Sequence, residues 1–118
     1  MKLAVVGSRN FTNYKVASEV INDLRKEYNI TSWVSGGANG ADKLAERYAE
    51  EYNMSIEIYK PDWDKFGKSA GFIRNQTIWD NSHLGVAFWD GKSKGTAHSF
   101  ELAKKQKKFL RIVKPKEK

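Results

Sequence analysis

A chain of 118 residues, 40% hydrophobic and 30% charged, is sized for one globular domain that buries about two-thirds of its unfolded surface without covalent staples. It has no cysteine, which excludes a disulfide framework and a thiolate metal site and fits a reducing, cytoplasmic setting. The net charge of +7 falls at one end, because Lys104 to Lys118 carry seven lysines and Arg111 against Glu117 while residues 1–103 are neutral. A terminal patch of this kind suits a solvated helix C-terminus better than a nucleic-acid-binding stripe, so nucleic acid is disfavoured as a partner. No stretch approaches the roughly 20 apolar residues of a membrane span, and the opening MKLAVVGSRN has too short an apolar run for a signal peptide. No membrane partner is expected.

In chain order, KLAVV (Lys2 to Val6) reads as a strand and GSRNF (Gly7 to Phe11) as the loop after it. Asn13 can cap a helix whose apolar face is Val16, Val20, Ile21, Leu24 and Tyr28. SWVS (Ser32 to Ser35) is a second strand, followed by SGGANGAD (Ser35 to Asp42) and by a helix with Ala41, Leu44, Ala45, Tyr48, Ala49 and Tyr52 on one face. Asn53 should end it in a left-handed conformation. SIEIY (Ser55 to Tyr59) is the third strand. The segment Pro61 to Asp80 is the hardest to place, with a helix expected over about Ser69 to Asn81. LGVAF (Leu84 to Phe88) leads through FWDGKSKGT (Phe88 to Thr96) to a fourth helix over roughly Gly95 to Lys108 and a last strand, FLRIV (Phe109 to Val113). Alternating β and α elements with short links predict a single Rossmann-like three-layer αβα sandwich with a five-stranded, mainly parallel sheet in the order 3-2-1-4-5. The domain should occupy residues 1–113, with a basic tail at 114–118.

Three glycine-bearing loops after strands point to an anion, since strand ends share one rim and helix N-termini offer N–H groups and partial positive charge. In the first, Ser8 and Arg9 suit a phosphate; Phe11 either stacks on a base or plugs the core. In the second, Gly36, Gly37 and Gly40 permit close backbone approach, and Asp42 either complements the helix dipole or accepts from ligand hydroxyls. In the third, Asp90 and Gly91 form a turn before Ser93, Gly95 and Thr96 at a helix start, with Lys92 and Lys94 adding charge. Arg74 and Asn75 should face the site, because they otherwise interrupt a face that Ile73 and Ile78 would bury. Trp63 and Phe66 are assigned to closing a core. The candidate ligand-binding set is Gly7, Ser8, Arg9, Phe11, Ser35, Gly36, Gly37, Ala38, Asp42, Lys68, Gly71, Arg74, Asn75, Asp90, Gly91, Ser93, Gly95 and Thr96. His83 and His98 lack a neighbouring carboxylate cluster in the sequence, so neither a metal nor another cofactor is expected.

GSRNF, SGGANGADKLAERYA, DWDKFGKSAGFIRN and FWDGKSKGT, in this order and spacing, resemble the YspA-type (cpYpsA-related) family of the SLOG superfamily, over about Lys2 to Val113. The superfamily includes LOG-type phosphoribohydrolases, DprA-like DNA-processing proteins and sensors of nucleotide-derived signals such as cyclic ADP-ribose isomers. The resemblance implies a pocket for nucleotides or nucleotide sugars and a homo-oligomer. The leading expectation is a sensor or sequestering module for a nucleotide-derived small molecule, ADP-ribose-like, cyclic-nucleotide-like or a nucleotide sugar. The alternative is a phosphoribohydrolase-type enzyme, and a third reading is nucleic-acid binding through the lysine-rich end. LOG-type enzymes carry a helical arginine, which Arg74 resembles, and a glutamate soon after a glycine-threonine turn. Here Gly95-Thr96 is followed by Ala97, His98 and Ser99, and Glu101 comes five residues after Thr96. Asp42 or Asp90 would have to replace that glutamate, so Arg74, Asp42 and Asp90 are the catalytic candidates.

Overall fold

Along β1 (Lys2–Gly7), Leu3 and Val5 enter one hydrophobic core while Ala4 and Val6 enter another, as the two-residue period of a strand buried on both faces requires. In the computed structural model, which describes residues 1–8, 11–36, 40–89 and 91–114, this strand is the centre of a five-stranded parallel sheet. Its order is β3 (Ser55–Ile58), β2 (Ser32–Ser35), β1, β4 (Leu84–Phe88), β5 (Phe109–Val113), the order expected from the alternation. Every pairing is parallel, with Ala4 level with Val34 on one side and Gly85 on the other. The basic tail expected at 114–118 lies outside the described residues apart from Lys114.

Helices α1 (Tyr14–Glu27) and α2 (Ala41–Glu51) cover one face, burying Val20, Ile21, Leu24, Leu44 and Tyr48 against Leu3, Val5, Trp33, Val86 and Phe88. Asn13 caps α1 by accepting from the Val16 N–H at 3.2 Å. Gly40 precedes α2 at a φ of 74°, which few side chains tolerate, and Asn53 follows it in the left-handed region at 54°. The other face is built on small strand residues, Ala4, Gly85 and Ala87. This allows α4 (Ala70–Asp80) and α5 (Lys94–Lys105) to pack close through Ile78, Trp79, Leu102 and Ala103.

Two helical boundaries differ from the sequence reading. A short helix, α3 (Trp63–Phe66), precedes a 3-10 turn at Gly67–Ser69; Asp62 caps α3 by accepting from the Lys65 N–H at 3.1 Å. The fourth predicted helix stops at Lys105, because Lys107 takes a φ of 55° and the Lys108 N–H bonds back to the Ala103 carbonyl at 2.9 Å. The Lys108 ammonium donates to the Trp79 carbonyl in the last turn of α4, so this lysine serves the C-terminal end of a neighbouring helix.

Gly85 is where helix and sheet meet most tightly: a β-carbon there would lie 2.3 Å from the indole of Trp79, which is fully buried. Gly85→Ala is expected to cost about 1–3 kcal/mol through overpacking, read as a lower urea midpoint with an unchanged slope. On the same face Lys2 donates to Glu57, and the Tyr59 hydroxyl donates to the same carboxylate at 2.6 Å. The Lys2 ammonium first, and the Tyr59 hydroxyl second, hold the Glu57 carboxyl below its usual range. Its stabilisation is therefore complete above the unfolded value of about 4.3 and disappears as pH falls through the lower folded value. Glu57→Gln should remove part of the pH dependence of urea stability below about pH 4.3 and leave the remaining profile in place.

Candidate functional site

Strand β1 has α1 and α2 on one face and α4 and α5 on the other, so the chain leaves it in opposite directions on its two sides. At such a switch point the loops diverge and a crevice opens beyond the carboxyl ends of the strands. Here it is a cavity of about 360 Å³ on the α4–α5 face, at the lower end of small-molecule pockets, roughly 300–1,000 Å³. Val6 and Gly7 form its floor, α4 contributes Gly71, Phe72, Arg74, Asn75 and Ile78, and α5 contributes Gly95, Thr96 and Ser99, with Ser93 before it. Lys68 and Trp63 complete the lining from the segment that precedes α4.

Side-chain hydrogen bonds tie these elements together. Buried Asn75 donates through Nδ2 to the Gly95 carbonyl at 3.2 Å and pairs with His98 Nδ1 at 3.3 Å, joining α4 to α5. Arg74 donates from Nε to Asn75 Oδ1 and from Nη1 to the Gly36 carbonyl, each at 3.0 Å, and so reaches the loop after β2. The Ser8 N–H donates to the Phe88 carbonyl at 2.8 Å, holding the loops after β1 and β4 side by side. Ser93 caps α5, accepting from the Thr96 N–H at 3.4 Å and from its hydroxyl at 3.1 Å. The helix N-terminus, with its partial positive charge, opens on the cavity beside Arg74 and Lys68.

Of the site residues read from the sequence, Gly7, Lys68, Gly71, Arg74, Asn75, Ser93, Gly95 and Thr96 line this one cavity. Others do not. Phe11 is 4% exposed and packs on Phe88 with ring centroids 4.9 Å apart, so it plugs the core of the opposite face and offers no ring for stacking. Ser8 is buried and is not among the described lining residues, and its N–H donates to the Phe88 carbonyl. Ser35 is buried within β2, and its carbonyl accepts from the Tyr59 N–H at 2.8 Å. Gly36 meets the site through the carbonyl that Arg74 holds, while Gly91 is exposed and outside the lining. Arg9, Gly37, Ala38 and Asp90, and the side chain of Asp42, lie outside the described residues. Glu101 is exposed on α5 and is not part of the lining.

Two expectations for the α4 region change. Ile73 is 39% exposed, so only Ile78 of the expected pair is core. Trp63 is 54% exposed and lines the cavity instead of closing a core. The sequence reading missed Val6, Phe72, Ile78 and Ser99 as lining residues. Ser99 carried a signal, because it lies four residues after Gly95 and so shares its face of α5.

The family model described as "YspA, cpYpsA-related SLOG family" matches residues 1–66. The Gene 61 protein of Mycobacterium phage D29 is 32% identical over 112 aligned positions, covering 88% of this chain and 89% of that protein. Among solved structures, DNA processing protein A from Helicobacter pylori superposes with a TM-score of 0.70 at 23% identity, over 99% of this chain and 66% of its own length. That structure is described for its single-stranded DNA binding mode. At this identity the likeness is one of fold.

Asn75→Ala removes the donor that Gly95 and His98 share. The expected loss is about 1–3 kcal/mol, the cost of leaving buried polar groups unpaired, measured by urea denaturation.

Proposed function

The chain belongs to the YspA, cpYpsA-related SLOG family, and from that premise we propose that the cavity at the β1–β4 switch point binds a phosphate-bearing, nucleotide-derived small molecule. The observation that carries this reading is the convergence of the α5 N-terminus, Arg74 and Lys68 on one concave site. The helix end supplies partial positive charge, Arg74 a planar guanidinium and Lys68 an ammonium, a combination suited to an oxyanion. Ser93 and Thr96 add hydroxyls at the same place. A chain of this kind would act by sequestering its ligand or by changing the surface shown to a partner.

Single-stranded nucleic acid is the second reading. Charge distribution alone disfavours it, but the Helicobacter pylori protein is described as a single-stranded DNA binder, and Trp63, Phe66 and Phe72 stand exposed beside Lys68. Aromatic side chains next to basic ones suit the stacking of unpaired bases. The hydrolytic alternative would draw on Arg74 with Asp42 or Asp90. Among the described lining residues none is a carboxylate.

Thermal unfolding with AMP, ADP-ribose and ribose 5-phosphate separates these readings. A true ligand at about 100 times its dissociation constant stabilises the fold by about 2.7 kcal/mol, and Arg74→Ala should abolish most of that gain. Base release from AMP in the same samples would assign turnover. A set of nucleotides and sugar phosphates that leaves the transition unmoved would defeat the binding proposal.

A further inference from the structure

The lining of the cavity is divided in character. Its anion-attracting groups are the start of α5, Arg74 and Lys68, and the segment before α4, which carries Lys68, also presents a large apolar ring. Trp63 is 54% exposed although it belongs to a helix capped by Asp62, and its indole lies against Gly71, with the ring edge 3.7 Å from the place a β-carbon would take. Phe72, next in the chain, lines the same cavity, is 53% exposed, and is braced edge-on by the His98 ring at 4.7 Å. Trp33 and Trp79, by contrast, are completely buried. An exposed indole beside anion-attracting groups offers a π-face on which a base can stack.

We infer that Trp63 is the base-recognition residue of this cavity, stacking on the nucleobase of a mononucleotide whose phosphate lies toward the N-terminus of α5. The inference rests on the nucleotide reading above and adds to it the part of the ligand that gives discrimination. Stacking on a π-face accepts any base, so purine and pyrimidine nucleotides should bind with similar affinity, while a sugar phosphate without a base binds more weakly. The size of the cavity favours a single nucleotide over a strand of several.

The test compares AMP, CMP and ribose 5-phosphate by calorimetry on the full chain, with Trp63→Phe and Trp63→Ala beside the parent. The parent should prefer both nucleotides over ribose 5-phosphate by about tenfold or more, the scale of one base–aromatic stack. Trp63→Ala should erase that preference while ribose 5-phosphate affinity stays within about twofold, and Trp63→Phe should keep part of it. AMP should quench tryptophan fluorescence in the parent but not in Trp63→Phe, which still binds AMP by calorimetry. Circular dichroism verifies that both variants fold. If ribose 5-phosphate binds as tightly as AMP, or if Trp63→Ala retains the preference, base recognition by Trp63 is overturned while the phosphate site stands. If no ligand binds the parent, the cavity reading itself fails. Binding of a thymidine oligonucleotide without any mononucleotide binding would overturn the inference in favour of a single strand.

Discussion

Parallel strands can be joined only by crossovers, and the hand of a crossover is fixed, so the face a helix takes is set by the direction in which the chain moves across the sheet. In this protein that direction reverses at β1. The chain steps outward through β2 and β3 with α1 and α2 on one face, then jumps back to β4 and continues to β5 with α4 and α5 on the other. The crevice follows from the reversal. Loops leaving β1 and β4 cannot cover the gap between them, and the bond from the Ser8 N–H to the Phe88 carbonyl holds them together at its edge.

The two faces use different means to the same end. The α1–α2 face is filled by large side chains, Trp33, Tyr48, Phe88 and Leu24 among them. The α4–α5 face has small strand residues, and Trp79 is its largest buried side chain. This asymmetry lets α4 approach closely enough for Asn75 to reach α5 and for Arg74 to reach Gly36. The lining residues Arg74 and Asn75 are thereby held by backbone carbonyls and by each other.

The fold was legible because strand and helix periods alternate cleanly: Lys2 to Val6, Ser32 to Ser35, Leu84 to Phe88 and Phe109 to Val113 read as strands from composition and turn residues alone. The least regular segment was the one that builds the cavity. In α4 a polar residue, Asn75, occupies a buried position, and Phe72 and Ile73 are exposed, so hydrophobic periodicity gives little signal there. The exposed Trp63 shows the same effect, since a ring set aside from the core reads in sequence like any other core aromatic. Phe11 follows a loop that looks like part of a site, and of its two readings the core one holds, since its ring packs on Phe88. Lys107 and Lys108 continue a run of lysines that favours a longer helix, but Lys107 turns left-handed and the Lys108 N–H closes on the Ala103 carbonyl, which ends it.

The missing β-carbon at position 85 reaches further than its own strand. The Trp79 indole that rests there fixes the altitude at which α4 rides over the sheet, and Asn75, one turn earlier on the same side of that helix, inherits this altitude when it meets α5. The shape of the recess is thus set from underneath, by a glycine that is not among its described lining residues. Evolution can retune such a recess by altering its bedding and leaving its walls alone.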